Sequence, residues 1–324
     1  MLPREAVVWS YRLFLGREPE SEAVIKAHQH IESIEVLRRA FMSCDEFLLV
    51  NGVAGLRDKW VAAPVMGGKY LMWIDLGDRY VSLGCLADSY DGVGTQFVKG
   101  VLREGNVFVD IGANVGWYTL LAASIVGDGG TVHCFEPRPQ TVDHLAQTIA
   151  LNRLERCVTL HRCGLSDADG EMMLVWSPSS GNPGGSHLAG EVPPGMRGEN
   201  VALTTLDGLK LPRLDFLKID VEGAEMRVFA GGRKTIEQCR PVILSEISPE
   251  MLSRVSGSST EAYFSYFAGL GYRCYVIDGE RCGEEITAFP VAWGIELLNV
   301  GLVPAERPAD LVARIFAGSA NPNG

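Results

Sequence analysis

The stretch VFVDIGANVGWYTL, residues 107–120, decides the fold. Apolar side chains alternate up to Asp110, and three small or turn-forming positions then lead straight into a helical pattern. A strand, a tight loop and a helix therefore meet here. Gly112 and Gly116 let the backbone bend and come close to a ligand, while the amides opening the helix face an electron-rich group. The spacing is D-x-G-x-N-x-G, not the G-x-G-x-x-G of a dinucleotide turn, and it sets a carboxylate at the strand end. Asp110 there repels pyrophosphate and attracts an ammonium, directly or through water.

Outward from this stretch, from about residue 96 to residue 300, strand-like and helix-like segments alternate. That is the pattern of an α/β domain, a parallel sheet with helices on both faces. The strands expected are NVFVDIG, GTVHCFEP, VTLHRCGLS, LDFLKIDVEG and RPVILSEIS. Residues 177–200 read as a loop-rich insertion, and GYRCYVID with AWGIELLNV as an antiparallel pair that closes the sheet. Residues 1–52 form a small helical unit, with Val8, Tyr11 and Leu15, then Ile31, Ile34, Leu37, Ala40 and Phe41, recurring at three and four. Ser21 is placed to cap its second helix. Residues 53–95 connect the two and contain a β-hairpin in 68–86, expected to turn at LGD. Residues 301–324 are a C-terminal tail, frayed over GSANPNG.

Composition narrows the function classes. With 324 residues, 47% hydrophobic and 21% charged, the chain can bury a full core. A formal charge of −11 disfavours a general grip on nucleic acid, so small-molecule or neutral substrates fit better. No run reaches the roughly 18 apolar residues of a membrane span, and the N-terminus lacks the apolar stretch of a signal peptide. A soluble cytoplasmic protein is expected. Cys44, Cys85, Cys134, Cys157, Cys163, Cys239, Cys274 and Cys282 form no C-x-x-C pair and read as reduced, mostly buried thiols.

A ligand with an ammonium, and a sulfonium besides, is S-adenosylmethionine. Its ribose clamp should lie at the end of the next strand, where Glu136 in CFEP is placed to accept both ribose hydroxyl protons. Taken in order, FVDIGANVGWYTL, CFEP, GLSDADG, TTLDGL, LDFLKIDVEGAE and ILSEIS resemble the FkbM-type methyltransferases, a branch of the Rossmann-like S-adenosylmethionine-dependent methyltransferases. The resemblance covers residues 105–250 and implies O-methylation of a hydroxyl on a sugar, glycan, polyketide or other natural-product scaffold. Carried over to this chain, it implies that Asp110, Gly112, Ala113, Asn114 and Gly116 line the methionine end of the cofactor and Glu136 its ribose. Cys163, Gly164, Ser166 and Asp167 would lie near the adenine edge, although Asp167 also reads as a turn residue. In NPGGSHL, the resemblance implies that Asn182, Ser186 and His187 touch substrate; a loop histidine is also commonly just solvated.

The chemistry is expected at the end of the fourth strand. Methyl transfer from a sulfonium is an in-line displacement, so the protein has to align an oxygen with the methyl and assist loss of its proton. Lys218, Asp220 and Glu222 alternate along KIDVEG, and Glu246 ends the fifth strand facing the same cleft. Burial beside another carboxylate raises the pKa of Asp220 or Glu222 towards that of a useful base, or Lys218 holds one of them ionised. The bland alternative has Glu222 and Glu225 capping the next helix. Asp220, Glu222 and Glu246 could also bind Mg²⁺, though no dense aspartate cluster demands a metal.

The segment YRLFLGREPESEAV resembles a short helical domain with a Y-x-x-x-L-G-R-x-P pattern in bacterial surface-glycan proteins, which favours a glycan precursor as substrate. Its bland alternative is a helical extension that packs on the catalytic domain or makes a homo-oligomer contact. Two readings from other classes are an NAD-dependent Rossmann oxidoreductase, which needs a glycine spacing this chain lacks, and a non-catalytic binding protein on the same scaffold.

Overall fold

The computed structural model describes residues 1–31, 33–44, 46–47, 60–178, 182–308 and 310–317. Two compact units emerge, Met1–Val61 with Asp75–Arg79, and Ala62–Ile74 with Tyr80–Gly324.

The first unit is helical. Helix α1 (Arg4–Ser10) runs on as a π turn through Tyr11–Leu15, followed by α2 (Glu22–Gln29) and α3 (Ile34–Ser43). Val7, Val8, Tyr11, Leu15, Ile25, Leu37 and Phe41 make its core. Gly16, at φ +67°, ends the first helix in the left-handed region. As expected, Ser21 caps α2, accepting the Val24 amide at 3.3 Å. The LGR-x-P residues thus do structural work: Tyr11 meets Phe41 edge-on at 4.8 Å, and the Arg17 guanidinium lies over the Tyr11 ring while pairing with Glu20 and Glu46.

The hairpin β1 (Trp60–Val65) and β2 (Tyr70–Asp75) is present but turns earlier than expected. Its turn is Met66-Gly67-Gly68, all at positive φ, and the Asp88 carboxylate accepts the Met66 and Gly67 amides. The LGD segment folds onto itself instead, with the Gly77 amide donating to Asp75. Two adjacent glycines supply the backbone freedom a tight hairpin needs, and one glycine in LGD does not.

The rest of the second unit follows in chain order: α4 (Ser82–Leu86), α5 (Gly92–Val101), β3 (Val107–Ile111), α6 (Trp117–Val126), β4 (Thr131–Phe135), α7 (Pro139–Leu151) and β5 (Val158–His161). Then come β6 (Gly164–Leu165), β7 (Gly170–Trp176), β8 (His187–Ala189) and β9 (Arg197–Thr204). The chain closes with β10 (Phe216–Ile219), α8 (Glu225–Gly231), α9 (Arg233–Cys239), β11 (Val242–Ile247), α10 (Thr260–Gly269), β12 (Tyr272–Val276), β13 (Glu285–Ile286), β14 (Leu298–Pro304) and α11 (Leu311–Ala317).

The main sheet runs β13-β12-β14-β11-β10-β3-β4-β5. From β5 to β11 every pairing is parallel, while β14 lies antiparallel between β11 and β12. Every residue of β10 is buried, which requires cover on both faces of the sheet. Chain order reverses between β3 and β10, and a ligand crevice is expected outside the carboxyl ends of strands at such a switch point. Phe108 and Phe216 stack at 5.4 Å where these two strands run side by side.

Two boundaries differ from the expectation. The stretch read as an insertion contains one short strand and the start of another: β8 and β9 join β6 and β7 in a second, four-stranded sheet, order β6-β9-β7-β8. Glycines and prolines in 177–200 masked the short alternations HLA and NVAL that feed it; residues 179–181 lie outside the described residues. The stretch read as a tail begins inside β14 and continues into α11; GSANPNG lies outside the described residues.

Candidate active site

Strand register builds the site. Lys218 stands directly opposite Asp110 on one side and Leu244 on the other, and Asp110 opposite Cys134. Residues two further along share a face, so Gly112, Asp220, Glu246 and Glu136 form the next row, at the carboxyl edge. They border a cavity of about 490 Å³, within the range of small-molecule sites. Gly112, Ala113, Asn114, Glu136, Gly164, Asn182, Ser186, His187, Lys218, Asp220, Glu222 and Glu246 all line it.

Five expected site residues lie outside the cavity lining. Asp110 is fully buried behind the loop: Thr119 Oγ1 donates to its Oδ2 at 2.7 Å, and Lys218 Nζ lies 3.9 Å from its Oδ1. It therefore anchors the loop from within instead of presenting a carboxylate to a ligand. Gly116 starts α6 at φ +102°, and a Cβ there would come within 2.6 Å of Leu145, so helix packing accounts for it. Cys163, Ser166 and Asp167 lie outside the cavity lining, because β6 leaves the main sheet at Gly164 and carries the chain into the second one. Gly112 has an unforeseen reason to be glycine: at φ +74°, a Cβ would collide with the carbonyl oxygen of Asp220.

Lys218 ties the halves of the site together. Its ammonium donates to the Gly112 carbonyl at 3.0 Å, lies 3.5 Å from Asp220 Oδ2, and sits over the Tyr118 ring at 5.5 Å. Burial works against its charge, yet Asp220, Asp110, Glu246 and Asp91 together hold its pKa above the ordinary lysine value. Asp110 is raised by burial, which outweighs the pull of Lys218 and the Thr119 hydrogen bond.

The carboxyls facing the cavity lack such cover. Glu136 accepts the Asn114 amide on one oxygen and the Arg138 amide on the other, both at 2.9 Å, and burial pushes its pKa up to about 7. Glu222 is raised to about 8 by burial, with Asp220 and Glu225 adding to the effect. Glu246 is raised to about 9, again by burial first and then by Asp220 and Glu222. Glu225 takes the capping part: its Oε1 accepts the Val221 and Gly223 amides at 3.1 and 3.3 Å, stitching the turn that holds Glu222 at φ +52°. Glu222 is thereby turned into the cavity, and the capping alternative applies to Glu225 alone.

His187 corrects the expectation of a solvated loop side chain. It opens β8, is buried, and leaves Nε2 without a hydrogen-bond partner; burial lowers its pKa. Five aromatic lining residues, Tyr80, Tyr90, Trp117, Tyr118 and Phe135, escaped the sequence reading. Only their place in or near DIGANVG, CFEP and the DSYDG turn marked them. Tyr118 donates to Asp91, which caps α5 from φ +38° and has its pKa raised by burial. A smaller cavity of about 240 Å³ shares Tyr90, Tyr118, Lys218, Asp220 and Glu246 and adds Asp91 and Asn299. Among the described residues no group of three or more His, Cys, Asp or Glu is arranged to hold a metal ion.

The methyltransferase FkbM domain matches residues 110–274, just over half of the sequence. The chain belongs to this family. It is 29% identical over 148 residues to the hexuronic acid methyltransferase AglP of Haloferax volcanii, covering 44% of this chain and 56% of that one. It is 31% identical over 162 residues to methyltransferase sdnD of Sordaria araneosa, covering 40% and 61%. The 31-O-demethyl-FK506 methyltransferase FkbM of Streptomyces tacrolimicus is 27% identical over 160 residues, covering 40% and 60%. The match thus spans little more than half the length of each relative. The family domain contains the glycine turn from Asp110, Glu136 and the KIDVEG strand end; the α1–α3 unit precedes it.

Proposed function

We propose that the chain is an S-adenosylmethionine-dependent O-methyltransferase acting on a hydroxyl of a sugar, glycan or related natural-product scaffold. The observation that carries the reading is one cavity at the switch point with Glu136 on one side and Asp220, Glu222 and Glu246 on the other. The residues suit the cofactor. Each Glu136 oxygen accepts one amide and keeps capacity for a ribose hydroxyl, and Gly112 through Asn114 offer backbone at close range. The cofactor, when bound, supplies an electrophilic methyl on a sulfonium.

The chain's own groups then do the rest. Asp220, held by Lys218, orients the acceptor hydroxyl, and Glu222, poised at about 8, takes its proton. Lys218 fixes Asp220 and the Gly112 carbonyl relative to each other, so cofactor loop and acceptor group keep one geometry. Two relatives carry substrate names, a hexuronic acid and 31-O-demethyl-FK506, which supports a hydroxyl-bearing sugar or natural-product acceptor. All eight cysteines are unpaired, which supports the reducing cytoplasm as the compartment we propose. No described helix is long and apolar enough to cross a membrane. Turnover of a sugar acceptor with labelled cofactor tests the assignment. The rate should rise with pH to a plateau above about 8, because Glu222 must lose its proton to act, and Glu222→Gln should remove the rise. A pH-independent rate, unchanged in Glu222→Gln, contradicts the assigned role.

A further inference from the structure

Two tyrosines, Tyr90 and Tyr118, border both the large cavity and the smaller one beside it. Their hydroxyls are used differently. Tyr118 is buried and donates to the Asp91 carboxylate, so its hydroxyl is committed within the fold. Among the described residues Tyr90 Oη makes no hydrogen bond. It is not shut away either: the buried polar atoms left without a partner include His187 Nε2 and Tyr263 Oη but not this oxygen, and Tyr90 is half-buried. A hydroxyl on the cavity lining, with neither a partner nor full burial, is open to a ligand.

The ring that carries it is fixed. Tyr90 stands in the turn between α4 and α5, edge-on to Trp117 at 6.1 Å, and the Trp117 indole N–H donates to Thr95 Oγ1 at 2.9 Å. A Cβ on Gly84 of α4 would come within 3.3 Å of the Tyr90 side chain, so that helix packs closely against it. The next residue, Asp91, caps α5 from φ +38° by accepting the Gly94 amide at 2.9 Å. A hydroxyl on so constrained a side chain meets a ligand with little further loss of rotamer freedom.

The surroundings decide which way the bond runs. Burial first, and then Asp220 and Asp91, hold the Tyr90 pKa well above the ordinary tyrosine value, so the phenol keeps its proton and donates. Asp220 and Glu246 border both cavities with it, yet no described carboxylate accepts from it. An alcohol oxygen placed among these groups accepts from Tyr90 and gives its own proton to a carboxyl.

Resting on the methyltransferase reading above, we propose that Tyr90 binds the methyl-accepting oxygen, donating its hydroxyl hydrogen to it while that oxygen's own proton points to the carboxyls of Asp220 and Glu222. Carbon, proton and the Tyr90 hydrogen bond then occupy three of the oxygen's four tetrahedral directions. The fourth, a lone pair, is left to face the methyl. Without the Tyr90 bond the oxygen is free to turn, so the loss falls on kcat more than on KM.

Tyr90→Phe removes one oxygen and leaves the ring. With labelled S-adenosylmethionine and methyl glucoside or methyl glucuronide as acceptor, its kcat should fall about tenfold or more while KM changes less than about threefold. The rise of rate with pH should stay where it is, since Tyr90 is not the base. S-adenosylhomocysteine affinity and thermal midpoint should not fall, because the hydroxyl bonds nothing in the fold; Tyr118→Phe, measured beside it, should lower the midpoint by leaving Asp91 short of a donor. An unchanged kcat in Tyr90→Phe overturns the proposal, and so does a fall in kcat matched by a fall in midpoint, which marks a structural role. If the intact chain binds S-adenosylhomocysteine but methylates neither glycoside, the sugar-acceptor reading fails and this inference with it, a result distinct from normal turnover in the variant.

Discussion

The chain holds a cation between two carboxylates in two places, and the surroundings make them different devices. In the helical unit Arg17 pairs with Glu20 and Glu46, all three reaching solvent, with side-chain exposures of 32%, 57% and 39%. In the α/β unit Lys218 lies between Asp110 and Asp220, at 8%, 0% and 30%. Water screens the first set, and such surface pairs contribute little. In the second set Lys218 and Asp110 are cut off from water while Asp220 opens to the cavity, so removal of Lys218 leaves the buried Asp110 uncompensated. Equal chemistry in sequence therefore gives a local clasp in one unit and the organising centre of the cavity in the other.

Lys218→Met should show the largest effect. It strands Asp110 in the core and should cost about 3–5 kcal/mol of stability in urea unfolding. An unaltered midpoint would mean that Asp110 is simply neutral and the contrast is empty. Asp220→Asn comes next: turnover should fall by about 10²-fold or more with S-adenosylhomocysteine affinity retained, since Asp220 lines the cavity and is the proposed acceptor-orienting group. Normal turnover would leave it no role beyond the ion pair.

The third prediction concerns pH. Glu136, Glu225, Glu222 and Glu246 have pKa values raised in the fold, to about 7, 7, 8 and 9 from an ordinary 4.5. The folded state binds more protons, so their contribution is fully present below about pH 4.5 and is lost as pH rises through 7 to 9. Glu246→Gln should then stabilise the protein above pH 9 and change little near pH 5. The reverse order of effects would show that Glu246 is ionised and paired. Arg17→Gln should have the smallest effect, a slight fall in thermal midpoint; a loss rivalling Lys218→Met would erase the distinction between the two sites.

What was legible in the sequence follows the same divide. Alternation and spacing suffice for β3, β4, β10 and β11 and for the row Gly112, Glu136, Asp220 and Glu246, because burial on both faces forces apolar runs that stop where polar function begins. The carboxylate at the strand end was read from spacing as well, but its direction was not. Asp110 points to Thr119 and Lys218 because parallel register sets Lys218 opposite it, and register is a property of two strands more than a hundred residues apart in sequence. The second sheet escaped for another reason. Its strands are short, interrupted by Gly and Pro, and paired across loops, so propensity in any single window says little. His187 illustrates the result: its neighbours in sequence suggest solvent, and only strand β8 buries it.

The central claim is that the cavity between Gly112 and Glu136 holds S-adenosylmethionine. Isothermal titration of the intact chain with S-adenosylmethionine and S-adenosylhomocysteine, with Glu136→Gln measured beside it, tests that most directly. Micromolar binding of both ligands, weakened at least about tenfold in Glu136→Gln, is the predicted result. Binding of neither ligand to the intact chain, or equal binding by the variant, would contradict it.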